Sequence, residues 1–195
     1  MDAVLSVVKA LLAMGCYEVS LGDTTGVGTV QQVRELIEYL GNHGIKPNKL
    51  AGHFHDTRGQ GVANVWEAYK CGVKTFDSSV AGLGGCPFAP GAKGNVATED
   101  IVYLFDNAGI RTGVDLKKLA DVGVWISKEL GEENQSRAGV ALSTRGARSQ
   151  PLRHQKDTDK ADWSLMRDTS NVLVLIKGTS GKIVLNNPLS PLTTC

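Results

Sequence analysis

The sequence predicts an α/β protein in which parallel strands alternate with helical crossovers. Three observations carry that reading. Strand-like and helix-like segments alternate at roughly 25–30 residues, the period of a strand–helix unit. The helical segments repeat apolar residues at three and four and end in recognisable caps. The less common polar residues sit in glycine-rich loops at the C-terminal ends of the strands, where α/β folds place their active sites.

Ala3–Leu12 repeats apolar residues in helical period, and Gly15 follows as a C-cap. Tyr17–Leu21 reads as a short strand running into the loop Gly22-Asp23-Thr24-Thr25-Gly26-Val27-Gly28. Thr29 and Gln32 form a capping box for a helix that ends near His43, before Gly44 and Pro47. Leu50–His55 is the next strand, Asp56–Gly61 its loop, and Val62 to about Tyr69 its helix. Val73–Val80 is the third strand. The long loop 81–94 follows it, then a helix over about 96–107 and another over about 115–130.

A closed eight-stranded barrel takes about 250 residues, and this chain of 195 residues opens in a helix. The pattern therefore fits two architectures equally: a barrel entered late, or a small open α/β sheet. Beyond residue 131 the periodicity stops. Residues 144–162 are polar with mixed charges and read as linker. Asn171–Lys177 and Lys182–Asn186 flank Gly178-Thr179-Ser180-Gly181 and predict a β-hairpin, which needs a partner surface to be stable. The expected division is a barrel-like domain over 1–130, a linker over 131–170 and a hairpin tail over 171–195.

Composition excludes several functions. The net charge of +1, with 21% charged and 42% hydrophobic residues, points to neither nucleic acid nor a membrane surface. No apolar run reaches the roughly 18–20 residues of a membrane span. Cys16, Cys71, Cys86 and Cys195 show no paired spacing, so reduced thiols in an intracellular protein are expected. The N-terminus carries no targeting pattern. Mitochondrial and cytoplasmic or peroxisomal locations cannot be separated from this sequence.

His53 and His55, two apart on a strand, present both imidazoles on one face at its C-terminal end. Neutral imidazole suits several divalent metals; the alternative is two core or surface histidines that happen to alternate. Asn95 serves as an N-cap for the helix from Val96, or as an oxygen ligand. Cys86, in a glycine-rich loop, is either an incidental thiol or an acid–base group, its reference pKa of about 8.5 lying near neutrality. Asp23 ends the first strand, where it forms a turn, supports a histidine or acts as a base. Asp77 is placed to hydrogen-bond across a barrel. Glu99 and Asp100 fall in the first turn of a helix, where carboxylates suit the dipole.

The order of these features is more specific than any one of them. Gly15-Cys16-Tyr17-Glu18-Val19-Ser20-Leu21-Gly22-Asp23-Thr24-Thr25-Gly26-Val27-Gly28-Thr29, then His53-Phe54-His55-Asp56-Thr57, then Asp77-Ser78-Ser79-Val80-Ala81-Gly82-Leu83-Gly84-Gly85-Cys86-Pro87, then Gly94-Asn95-Val96-Ala97-Thr98-Glu99-Asp100 closely resembles 3-hydroxy-3-methylglutaryl-CoA lyase. The likeness runs over about residues 5–130, and the stretch 82–87 is its most specific part. It implies the sixth to eighth strands of a TIM (β/α)8 barrel, hence an N-terminally truncated barrel. It implies Mg²⁺ or Mn²⁺ on His53, His55 and Asn95, with Cys86 on a mobile loop and Asp23 in the catalytic cluster. The implied reaction on its acyl-CoA substrate is cleavage to acetoacetate and acetyl-CoA, in a parent that is a candidate homodimer.

The departures are equally definite. The family's Arg-Asp pair on the first barrel strand and its second-strand glutamate have no counterpart here. Arg58 stands where these lyases often carry an aromatic. The tail from about 144 has no place in the family, and Asn186-Asn187-Pro188 faintly resembles the opening of an enoyl-CoA hydratase/isomerase domain. The alternatives are an inactive remnant of a longer gene and a related barrel lyase or synthase acting on another acyl-CoA.

Overall fold

A computed structural model describes residues 1–85, 94–149, 173–178 and 181–182. Helix α1 (Asp2–Ala13) leads into strand β1 (Val19–Asp23), helix α2 (Val30–Asn42) and strand β2 (Leu50–Phe54). Helix α3 (Gly61–Lys70), strand β3 (Thr75–Ser78) and helices α4 (Thr98–Asn107), α5 (Leu116–Leu130) and α6 (Arg137–Ser149) follow, then β4 (Leu173–Gly178) and β5 (Gly181–Lys182). The sheet runs in chain order from β1 to β5, parallel through β4, with β5 antiparallel to β4. The three strand–helix units expected from the sequence are present, with boundaries shifted by a few residues.

Local rules place these elements. The Thr29 side chain accepts from Gln32 N while the Gln32 side chain accepts from Thr29 N, so the capping box forms and starts α2. Asp115 Oδ1 accepts from the backbone of Lys117 and Lys118 and starts α5. The inner strands β2 and β3 are buried on both faces: four of five β2 residues and all of β3 are enclosed.

The core lies between the sheet and its helices. Phe76 of β3 and Phe105 of α4 pack with tilted rings at 5.9 Å between centroids, and Tyr69 of α3 meets Phe105 edge-on at 5.1 Å. Leu40, Leu50, Val65 and Ile101 complete the same cluster. This packing carries the site, because β2 and β3 can bring their C-terminal ends together only if their flanks are filled.

Two expectations are corrected. The linker expected over 131–170 contains a helix, Arg137–Ser149. Its first turn is held by a long-range partner: Asp100 accepts from Ser136 Oγ at 2.8 Å, Arg137 N at 3.3 Å and Ala138 N at 2.7 Å. Such a cap comes from another helix and leaves no trace in the local pattern. The helix expected from residue 96 begins instead at Thr98 with Ala97 at its cap, so Asn95 is not the N-cap.

The predicted hairpin is present in part: Lys177 pairs with Lys182 and Gly178 with Gly181. Its partner surface is the edge of β3, where Thr75 to Ser78 pair in register with Leu173 to Ile176. The expected linker remainder, 150–172, and a second-domain onset over 183–195 lie outside the described residues. Among the described residues, no helix is long and apolar enough to cross a membrane.

Gly52 shows how tight the β2–β3 contact is. A Cβ added there would lie 2.6 Å from Phe54 Cε2 and 3.1 Å from Phe76 Cδ1. Gly52→Ala should lower stability by about 1–3 kcal/mol through overpacking. Urea unfolding followed by circular dichroism checks this, and an unchanged midpoint would contradict it.

Candidate active site

The polar residues gather at the C-terminal ends of β1, β2 and β3. His53 lies in β2 and His55 one residue beyond its end, so strand alternation sends both rings to one side. Their centroids are 5.3 Å apart with the planes nearly perpendicular, at 65°. His55 is buried, and the His53 side chain is 21% exposed, open enough for a ligand to reach it.

Asp77, opposite His53 in the β2–β3 register, places Oδ2 3.6 Å from His53 Nδ1. That is too long for a hydrogen bond, and the buried Nδ1 makes none in the structure. The same Oδ2 accepts from Ser20 Oγ of β1 at 2.9 Å, so Asp77 does bond across strands as expected. The carboxylate and the ring are thus neighbours across adjacent strands, without a hydrogen bond between them.

Asn95 reaches this group through the backbone. Val96 N donates to Phe54 O at 3.0 Å and Asp56 N to Gly94 O at 3.1 Å, which makes an antiparallel bridge between His55 and Asn95. Its Nδ2 donates to Leu83 O at 3.0 Å. Among the described residues no hydrogen bond reaches its Oδ1, a hard-cation donor. Gly84 is obligatory beside it. Its φ is +84°, and a Cβ would come within 3.2 Å of Asn95 Nδ2.

His53, His55 and Asn95, three residues singled out in the sequence, are therefore brought together. Two imidazoles and one amide oxygen fit a divalent cation as an incomplete donor set. Among the described residues no group of three His, Cys, Asp or Glu side chains gathers, so this set has no carboxylate member.

Asp23 also lies at this end of the sheet, and its carboxylate shapes the local turn. Oδ1 accepts from Val27 N at 3.1 Å and Oδ2 from Gly28 N at 2.9 Å. Cys86 lies outside the described residues. Arg58 ties the second loop to the first, donating to Thr25 O at 3.0 Å and Gly26 O at 3.4 Å.

Sequence reasoning missed one residue. Glu99 was read as a carboxylate suited to the helix dipole, yet it is fully buried. Both carboxylate oxygens accept from Ala81 N at 2.9 Å. Periodicity could not reveal it, because α6 covers a face of α4 that would otherwise meet solvent. Loss of hydration raises the Glu99 carboxyl from an ordinary 4.5 to about 7, partly offset by its backbone hydrogen bonds.

These residues lie at the C-terminal ends of parallel strands joined by helical crossovers, the rim where (β/α)-barrel folds build their sites. The chain belongs to the HMGL-like family, whose model matches residues 1–126. It is 55% identical over 147 residues to a hydroxymethylglutaryl-CoA lyase of Pseudomonas mevalonii, covering 75% of this chain and 48% of that protein. It is 54% identical over 136 residues to a 3-hydroxy-3-isohexenylglutaryl-CoA/hydroxymethylglutaryl-CoA lyase of Pseudomonas aeruginosa, covering 70% and 45%. The crystal structure of hydroxymethylglutaryl-CoA lyase from Pseudomonas aeruginosa superposes with a TM-score of 0.69 at 53% identity, covering 73% of this chain and 47% of that one. The chain thus spans about half the length of these relatives.

The raised Glu99 carboxyl sets a direction for pH dependence. Between 4.5 and about 7 the folded state keeps a proton that the unfolded chain has lost. Its contribution is fully present below 4.5 and disappears as pH rises through about 7. Glu99→Gln should remove this fall, on the order of 3 kcal/mol. Urea unfolding at acid and alkaline pH should show wild type losing stability relative to the variant. A constant difference between the two would contradict it.

Proposed function

We propose that this chain contributes the cation-binding part of a site that cleaves 3-hydroxy-3-methylglutaryl-CoA to acetoacetate and acetyl-CoA. The observation that carries the reading is the convergence of His53, His55 and Asn95 at the strand ends of an HMGL-like chain. The names of its relatives, both lyases of branched acyl-CoA esters, supply the substrate class.

His53, His55 and Asn95 would hold Mg²⁺ or Mn²⁺. When bound, such a cation supplies Lewis acidity toward the substrate's tertiary hydroxyl and a carboxylate oxygen. Asp77, anchored by Ser20, places a carboxylate 3.6 Å from the His53 ring. The Leu83 carbonyl holds the Asn95 amide nitrogen, reserving its oxygen for the cation. Asp23 is the carboxylate we assign to the catalytic cluster, its orientation fixed by the Val27 and Gly28 amides.

The reaction needs three movements. The hydroxyl proton leaves to a base and the carbonyl of acetoacetate forms. The carbon–carbon bond breaks, and its electron pair passes to the acetyl-CoA carbon. A proton then arrives at that carbon, and Cys86, which follows β3 in the sequence, is the proposed donor through its thiol. A second substrate has a specific motive: the Pseudomonas aeruginosa relative is also named for an isohexenyl analogue, so a longer branch at the same carbon is a second candidate.

Two measurements test the reading. Titration with Mn²⁺, followed by electron paramagnetic resonance, should show binding that weakens tenfold or more in His53→Ala, His55→Ala and Asn95→Ala. Equal binding by the double histidine variant would refute the donor set. The purified 195-residue protein should form no acetoacetate by itself, because the family's Arg-Asp pair has no counterpart in it. Addition of the unmatched half of the Pseudomonas mevalonii lyase should restore turnover, and turnover by the chain alone would sink the half-site assignment.

A further inference from the structure

The chain leaving Ser78 at the end of β3 must turn at once to carry Asn95 across the end of β2. It turns at Val80–Gly82, where Ala81 adopts φ 57° and ψ 13°. This left-handed conformation costs a residue with a side chain about 1–2 kcal/mol. It persists only where its surroundings hold it.

Both backbone polar groups of Ala81 are held from outside the turn. Its N–H donates to both oxygens of Glu99, and its carbonyl accepts from Gln135 N at 2.8 Å. Two residues on, Leu83 O receives the Asn95 amide. A short path of bonds therefore runs from Glu99 through Ala81 and Leu83 to Asn95.

The surrounding helices make room for the Glu99 carboxylate. Gly123 lies in the middle of α5, where glycine costs about 1 kcal/mol relative to alanine. A Cβ there would fall 2.3 Å from Glu99 Oε1, and one at Gly139 of α6 would fall 3.5 Å from Glu99 Cγ. Among the described residues no cation pairs with Glu99, and Asp100 is the charged group that acts on it. Its one evident task is to hold Ala81.

We propose that Glu99 is the positioning residue for the loop that carries Asn95 to His55, acting by holding the left-handed turn at Ala81. The inference rests on the preceding section only in treating Asn95 as a ligand.

Hydrogen exchange of the 79–85 segment and Mn²⁺ affinity of the full chain, both measured well below the unfolding midpoint, test it. Glu99→Ala should lose exchange protection at 79–85 and weaken Mn²⁺ binding about tenfold. Glu99→Gln, which keeps an oxygen acceptor, should restore both. Gly123→Ala should reproduce the Glu99→Ala result with Glu99 still present, by forcing the carboxylate off Ala81. The double variant should then be no worse than Glu99→Ala alone. Full protection at 79–85 in Glu99→Ala would overturn the proposal, as would additive effects of the two substitutions. If the wild type binds no Mn²⁺, the cation reading fails separately, and the exchange pattern alone decides the role of Glu99.

Discussion

Two backbone hydrogen bonds close the loop after β3 over the end of β2, from Val96 N to Phe54 O and from Asp56 N to Gly94 O. The candidate site depends on them. His53 and His55 are two residues apart and meet by strand alternation alone, but Asn95 is 40 residues further along the chain. Only by lying antiparallel across the strand's end does this segment set Asn95 opposite His55. The geometry is imposed by main-chain atoms, and a side chain at 84 would strain it, at φ +84° and 3.2 Å from Asn95 Nδ2.

A parallel sheet sets a second constraint. Strands β2 and β3 are buried on both faces, where an unpaired polar group is costly. Asp77 meets Ser20 across the sheet, and Thr75 donates to Glu18 at 2.8 Å. The same demand falls on strand edges, which present unpaired amides and carbonyls. β4 meets it on one side by pairing along β3, although the family likeness ends well before residue 173. A segment unrelated to the barrel pattern thus joins the barrel-type sheet, because a strand edge selects for backbone geometry rather than for sequence.

Buried carboxylates organise the helical side of the molecule. Asp100 starts α6 and Glu99 holds the turn leaving β3, so two adjacent residues of α4 fix two different elements. Each works at long range in sequence. The fixed position of α6 over α4 in turn keeps Glu99 from water. The packing of one helix therefore governs the charge state of a group that touches the loop bearing Asn95.

Helix and strand order, the capping box at Thr29, the pairing of His53 with His55 and the family likeness were all legible in the sequence. Each is a local pattern or an ordered set of motifs. Asn95 was legible only as a choice between helix cap and ligand, and the backbone bridge to His55 with the start of α4 at Thr98 removed the cap. The turn role of Asp23 was legible as well, since its partners lie within five residues. Helix α6, the inward turn of Glu99 and the seat of β4 were not. They depend on contacts between residues far apart in the chain, and local periodicity carries no information about which surface will be covered. The sequence by itself determined which residues could bind and react; the tertiary structure decided which of them meet, because convergence at the strand ends follows from register, loop closure and helix packing.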